Sequence, residues 1–142
     1  MRAMAKTCGA AAALIVLMCV AGDAQVVSLR PGLYERVMDV DAAGSTGQSK
    51  DTICMTPDEA KDVVKTIAMA GRETDCKVSD VKTAAGGKLT FNVSCKDGGG
   101  VTTIANDVTY GPDWYTNVSK GKSGAGPISQ KISAKRIGEC PK

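Results

Sequence analysis

The chain has no histidine among its 142 residues. Histidine is the side chain that most often acts as a general base, and it is also the commonest metal ligand. Its absence excludes Ser-His-Asp and Cys-His catalytic arrangements. Aromatic residues make up only 4% of the sequence, so the core must be built mainly from Val, Ile, Leu and Met. A core of this kind benefits from covalent cross-links.

Long apolar runs are missing beyond the first segment of the chain. Met1–Ala24 resembles a secretory signal, with a basic start, an apolar stretch from Gly9 to Ala21, and small residues before a cut at Gln25. The apolar stretch is shorter than the roughly 20 residues that a spanning helix needs. We therefore expect cleavage, a periplasmic location, and a single mature domain over residues 25–142 with no stable membrane span. Retention of the leader as an anchor and lipidation at Cys19 are the alternatives.

Four cysteines follow the leader, namely Cys54, Cys76, Cys95 and Cys140. Structural disulfides are the simplest interpretation, because an exported protein meets an oxidising environment. The four are far apart in sequence, unlike the ligands of a zinc site or a Cys-x-x-Cys redox pair. They allow three pairings. A hairpin between Cys76 and Cys95 favours a bond between these two, which leaves Cys54 for Cys140.

Apolar alternation predicts an α+β fold, in which one helix packs on an antiparallel sheet or meander of about six strands. The predicted strand segments are Leu33–Asp41, Ser49–Met55, the Cys76–Cys95 hairpin, Val101–Val118 and Ile128–Ile137. Turn-rich residues at 41–47, 97–100 and 120–126 are predicted to connect them. In the Val101–Val118 segment, Tyr110, Trp114 and Val118 share one parity across a tight turn, which predicts one common face.

The register of the hairpin follows from the position of its turn. A turn centred on residues 85 and 86 sets Cys76 against Cys95 and Lys82 against Leu89. A turn at residues 86 and 87 is the alternative, and it would set Cys95 against Val78. The first register places one set of side chains on a single face: Cys76, Val78, Leu89, Phe91, Val93 and Cys95.

The clearest local signal is the start of a helix. Thr56 is a good N-cap, Pro57 suits the first helical position, and Glu59 completes a capping box. Apolar residues then recur at helical spacing, at Ala60, Val63, Val64 and Ile67. We predict one helix from Pro57 to Met69, with Gly71 as its stop.

The charges argue against several classes of function. The net charge is only +3 and the signs are mixed along the chain, so we expect no nucleic-acid partner. Turn and helix-dipole effects account for the acidic pairs at residues 39 and 41 and residues 58 and 59. We predict no catalytic residue, no metal ligand and no cofactor. A carboxylate-only hydrolase would need convergence of acidic residues from this set: Asp39, Asp58, Asp62, Asp107 and Asp113.

One turn is rich in aromatic residues. Tyr110, Trp114 and Tyr115 surround it, and aromatic side chains of this kind commonly anchor a ligand or partner. A purely structural interpretation is that Tyr110 and Trp114 face each other across the hairpin and fill the core. In that arrangement Tyr115 lies partly outside.

Three short motifs support a family resemblance: Leu29–Glu35, Cys54–Glu59 and Arg136–Cys140. In this order, behind a leader, they resemble the family catalogued as domain of unknown function 3617, whose members are small exported bacterial proteins. The resemblance covers Leu29 to Cys140. It implies an envelope location and structural cysteines, and it brings no activity, cofactor or catalytic residue.

These features together favour a non-catalytic periplasmic module that binds a small ligand or an envelope protein. The alternative is an exported inhibitor of a cell-wall hydrolase or protease, which would present a rigid loop at Lys120–Gly126 or Asp97–Gly100. A hydrolase working through carboxylates is the third hypothesis.

Overall fold

The computed structural model describes residues 27–69, 75–98 and 100–142. The predicted leader, its cleavage before Gln25, the leader cysteines Cys8 and Cys19, and the helix stop at Gly71 all lie outside these residues.

Within these residues, seven strands form one antiparallel sheet: β1 Gly32–Ala42, β2 Ser45–Met55, β3 Cys76–Ala84, β4 Lys88–Asp97, β5 Gly100–Gly111, β6 Trp114–Ser123 and β7 Gly126–Gly138. Their order across the sheet is β2-β1-β7-β6-β5-β4-β3. The last five strands are a meander, and β1 pairs with β7. The antiparallel sheet is confirmed, but the count of about six strands is wrong. The predicted tight turn in the segment from Val101 to Val118 lies at Pro112 and Asp113, and a full strand lies on either side of it.

Tight turns replace the longer connectors that we expected. Ala43 and Gly44 have φ values of 53° and 82°, and residues with positive φ suit a two-residue hairpin turn. β2 therefore begins at Ser45 rather than Ser49. The predicted loop at 120–126 is likewise reduced to residues 124 and 125 between β6 and β7.

The predicted helix consists of two short helices, α1 Pro57–Lys61 and α2 Val63–Met69. The capping box is confirmed, since the Thr56 amide donates to Glu59 Oε2 at 2.8 Å and the Glu59 amide donates to Thr56 Oγ1 at 3.3 Å. The prediction of one continuous helix is wrong because Asp62 leaves the helical conformation, with φ −116° and ψ 74°. Its carboxylate accepts a hydrogen bond from the Lys65 amide at 3.0 Å, so it caps the second helix.

The two helices connect the edge strands β2 and β3, so the chain passes from one edge of the sheet to the other. The face of the sheet that packs with them is called the inner face, and the opposite one the outer face. Apolar side chains from both helices and from the sheet share one core. The core consists of Leu29, Tyr34, Met55, Ala60, Val63, Ala68, Leu89, Phe91, Val93, Val108, Tyr115, Ile132 and Ala134.

Both predicted disulfides are present. Cys76 pairs with Cys95 across β3 and β4, with their Cα atoms 4.0 Å apart. Cys54 at the end of β2 bonds to Cys140 beyond β7, at a Cα distance of 5.4 Å. The hairpin register is as predicted next to the first bond, but the pairing of Lys82 with Leu89 is wrong. Lys82 faces Thr90, because β3 has an extra residue between Ser79 and Lys82.

An ion pair on the inner face of β1 and β2 stabilises this hairpin. Arg36 and Asp51 are direct cross-strand partners, and Arg36 Nε donates to Asp51 Oδ1 at 2.9 Å. Only 14% of the Arg36 side chain is exposed. Its guanidinium, through this hydrogen bond, lowers the pKa of Asp51 below the ordinary value of 3.8.

We expect Asp51→Asn to lower the free energy of unfolding at neutral pH by about 1 kcal/mol. Because the pKa of Asp51 is lowered on folding, its stabilisation is complete above pH 3.8 and is lost as the pH falls below this value. Urea unfolding at pH 7 and pH 3 measures the difference. Lys61→Gln removes an ion pair with Asp58, in which both side chains are more than three-quarters exposed, and should change little at either pH. An effect of Asp51→Asn that is the same at both pH values would contradict this account.

Candidate functional site

The turn between β5 and β6 separates the three aromatic residues that the sequence brought together. Its two residues, Pro112 and Asp113, reverse the chain so that Gly111 faces Trp114 and Tyr110 faces Tyr115. Directly paired residues of the two strands lie on the same face, and here each pair joins an even-numbered residue to an odd-numbered residue. The inner-face positions are therefore even in β5 and odd in β6. The expectation that Tyr110, Trp114 and Val118 share a face is therefore wrong.

Tyr115 belongs to the core, with 4% of its surface exposed. Its ring centroid lies 6.3 Å from that of Tyr34, and burial raises the pKa of Tyr115. Tyr110 is half-buried against the same core. The structural interpretation that placed Tyr110 opposite Trp114 and Tyr115 partly outside is thus wrong. Trp114 is 46% exposed on the outer face, and among the five aromatic residues it is the exposed one.

The indole of Trp114 lies over Gly111, its cross-strand neighbour. A Cβ atom on Gly111 would lie 2.9 Å from Trp114 Cε2 and closer still to Nε1. The ring occupies the space that a side chain at Gly111 would need, an arrangement that compensates for a glycine in a strand. Gly111 itself is buried. The glycine therefore determines where the exposed indole lies.

The turn below the indole is held by the segment that precedes β1. Arg30 Nε donates to Asp113 Oδ1 at 2.8 Å, and the Arg30 amide donates to the Pro112 carbonyl at 2.8 Å. The Arg136 amide of β7 donates to the Asp113 carbonyl, also at 2.8 Å. The hydrogen bond from Arg30 lowers the pKa of Asp113. These contacts fix the backbone from which Trp114 projects.

A shallow depression of about 390 Å³ lies beside Trp114 on the outer face of β6, β7 and β1. Lys135 is directly opposite Trp114, and Glu35 is directly opposite Lys135. In the next row, Thr116 faces Ser133. The depression thus combines an aromatic ring, two hydroxyl groups, an ammonium and a carboxylate, which are groups that bind small polar ligands. The sequence did not indicate Ser133 or Lys135 as binding residues. The alternation of side chains along β7 could have placed them once the β6–β7 pairing was known.

We expect Gly111→Ala to displace the indole with little effect on folding. The new Cβ collides with the ring, while the residue lies in a strand conformation that alanine tolerates, so the free energy of unfolding should change by no more than about 1 kcal/mol. Because Trp114 is the sole tryptophan, its fluorescence maximum measures the displacement directly. Gly47→Ala on β2, where a Cβ meets no atom within 4 Å, should leave the emission unchanged. An unaltered spectrum in Gly111→Ala would show that the glycine does not position the indole.

Two further depressions lie on the outer face. One, of about 450 Å³, crosses β3, β4, β5 and β6, and its lining includes Asn92, Ala105, Asp107, Val118 and Lys120. The other, of about 400 Å³, lies where β1, β2 and β7 meet, and it is lined in part by Asp39, Asp41 and Lys131. Gln48 Nε2 donates to Asp39 Oδ1 at 2.7 Å there.

A buried polar cluster lies on the inner face of β5 and β6. Ser119 Oγ donates to Asn106 Oδ1 at 2.8 Å, and Asn117 Nδ2 donates to Asn106 Oδ1 at 3.1 Å. All three side chains are at most 6% exposed. Asn117 Oδ1 has no hydrogen-bond partner among the residues that the structure describes. The three side chains point into the core at positions that apolar residues usually occupy, and they bind one another rather than opening to the surface.

The acidic residues of the hydrolase hypothesis lie on different elements. Asp39 and Asp107 are on the outer faces of β1 and β5, Asp58 and Asp62 are on the helical segment, and Asp113 is paired with Arg30. Within residues 27–69, 75–98 and 100–142, no group of three or more Cys, Asp or Glu side chains is placed to hold a metal ion. None of the helices in these ranges is long and apolar enough to cross a membrane.

The fold and the outer surface define a class of protein: a single antiparallel sheet with a helix-covered inner face, two disulfides and one exposed tryptophan. The chain matches the family described as protein of unknown function DUF3617 over residues 29–140. It belongs to this family, as the three sequence motifs indicated. No curated protein and no solved structure matches the chain.

Proposed function

We propose that the protein is an exported, non-catalytic module that binds a ligand or an envelope partner through the outer face around Trp114. The observation that carries the proposal is the 46% exposed indole held over Gly111. A ring that is exposed yet fixed loses little conformational freedom on binding, and tryptophan is among the residues that contribute most to binding energy.

The predicted leader and the two disulfides support a periplasmic location, where oxidised cysteines persist. The absence of histidine in the sequence and the placement of the acidic residues on separate elements support a binding rather than a catalytic role. The mixed charges of the outer face do not favour a nucleic acid. The inhibitor alternative has no specific support, because Asp97 ends β4, Gly100 begins β5, and residues 120–126 belong to β6, β7 and the two-residue turn between them.

The test uses the mature protein and two insoluble envelope fractions, purified cell-wall sacculi and outer-membrane vesicles. We expect the protein to sediment with one of them, and Trp114 emission to shift to shorter wavelength as the indole leaves water. Trp114→Ala should weaken binding about tenfold or more. Val101→Ala is the matched control, since it truncates a 57% exposed apolar residue of β5 outside the depressions. Equal binding of both variants to a fraction that binds the parent protein would overturn the proposal.

A further inference from the structure

The outer face of β6 connects two of the depressions. Trp114, Thr116, Val118 and Lys120 alternate along this strand, and they point to the outer face because the inner-face positions are 115, 117 and 119. The depression beside Trp114 includes Thr116, and the 450 Å³ depression begins at Val118, two residues further along. At about 3.4 Å per residue, Trp114 and Lys120 are roughly 20 Å apart. The surface is therefore much longer than a single sugar ring or side chain.

In the 450 Å³ depression, a small side chain lies between longer polar side chains of the neighbouring strands. Ala105 lies between Asn92 of β4 and Lys120 of β6 in one cross-strand row, and Asp107 faces Val118 in the next. Asn92 Nδ2 donates to Asp80 Oδ2 at 2.9 Å, which fixes the amide at the far wall. The small side chain of Ala105 leaves room for an atom group above the sheet.

The charged side chains beside β6 are of both signs. Lys135 faces Glu35 and Lys131 faces Asp39 across β7 and β1, while Asp107 lies near Lys120. A surface on which the two signs alternate attracts a polymer of one sign less strongly than a patch of the opposite sign would. It does match hydroxyl groups, because a hydroxyl donates to a carboxylate and accepts from an ammonium.

We propose that the ligand is a neutral oligosaccharide chain that lies along β6 from Trp114 to Lys120. The inference rests on the proposed function and adds the ligand class and its path. One sugar ring stacks its C–H face on the indole, whose ring face carries negative charge density. Thr116 and Ser133 bind hydroxyl groups of the same part of the chain. Further rings cross Val118 and donate and accept hydrogen bonds at Asp107 and Lys120.

The experiment titrates the mature protein with β-1,4-linked N-acetylglucosamine oligomers, from the monomer to the hexamer, and follows Trp114 emission. Affinity should rise with chain length until the oligomer covers the distance from Trp114 to Lys120, and then level off. Oligogalacturonate of equal length, an anionic chain, should bind at least tenfold more weakly than the neutral hexamer.

Variants at the far end of the path distinguish a chain from a single bound ring. Lys120→Ala and Asp107→Ala should each weaken hexamer binding about fivefold, of the order of a single lost solvent-exposed hydrogen bond, and leave dimer binding unchanged. Lys61→Ala, at a lysine of α1 whose side chain is 78% exposed, should change neither. Calorimetry replaces fluorescence wherever Trp114 is altered.

The outcomes separate this inference from the proposed function. Affinity independent of chain length, or a tighter complex with oligogalacturonate, would overturn the neutral chain but leave binding at Trp114 intact. No response to any oligomer, together with Trp114-dependent sedimentation on an envelope fraction, would overturn the saccharide and point to a protein or lipid partner. Failure of both experiments would overturn the proposed function itself.

Discussion

Replacing Cys54 and Cys140 together with alanine is expected to lower the free energy of unfolding by about 4.5 kcal/mol. The bond joins residues separated by 86 positions, so its loss frees most of the domain in the unfolded state. It also links β2 to the chain beyond β7 across the start of β1, since Leu33 faces both Cys54 and Gly138.

Urea unfolding of the oxidised protein and of the double variant measures this difference. The matched comparison is the Cys76→Ala and Cys95→Ala double variant, whose bond closes a loop of separation 19 and should contribute about 3 kcal/mol. The critical result is which double variant loses more free energy of unfolding, and we expect it to be the one that lacks the Cys54–Cys140 bond. A larger loss at the Cys76–Cys95 bond would mean that packing around the half-buried pair, rather than restriction of the unfolded chain, determines the contribution of each disulfide.

Phe91→Ala should lower the free energy of unfolding by about 3–5 kcal/mol. Phe91 is the only phenylalanine of the chain, it is 1% exposed, and it lies in the core that the helices and the sheet share. Truncation leaves a cavity that a backbone held on both sides by neighbouring strands cannot close.

Thermal and urea unfolding test this expectation, with two controls. Phe91→Leu keeps most of the apolar volume and should cost less than about 2 kcal/mol. Val81→Ala truncates a 49% exposed residue of the edge strand β3 and should stay within about 0.5 kcal/mol of the parent. If Phe91→Ala costs no more than Val81→Ala, the helices do not pack on this part of the inner face.

Local signals in the sequence predicted local structure well. The capping box at Thr56 and Glu59 forms as expected, because every group in it lies within four residues of the others. The same capping logic applied to Asp62 would have predicted the break between the two helices. Asp62 lies three residues before the Lys65 amide that its side chain binds. A side chain that binds a backbone amide in this way competes with the helical hydrogen bonds, and the spacing of apolar residues does not reveal that competition.

The predicted strand registers were wrong where a bulge or a turn shifted the alternation of side chains by one residue. The hairpin prediction correctly paired Cys76 with Cys95 but failed beyond Ser79, where Asp80 adopts a φ of 54° and β3 has an extra residue. At the second hairpin, a two-residue turn moved Trp114 to the outer face and Tyr115 into the core. The alternation of apolar and polar residues along a strand does not predict such changes, because a single inserted residue exchanges the two faces of the strand.

Spacing and short-range chemistry were sufficient to predict the antiparallel α+β class and the start of the helical segment, and to favour the disulfide pairing that the structure contains. The resemblance of three short motifs indicated the family. Tertiary structure alone decided that β1 pairs with β7, which of the three aromatic residues is exposed, and how Gly111, Ser133 and Lys135 come to lie around Trp114. These arrangements depend on contacts between distant strands. Their register is fixed by burial of one face of the whole sheet, which no single segment of the chain specifies.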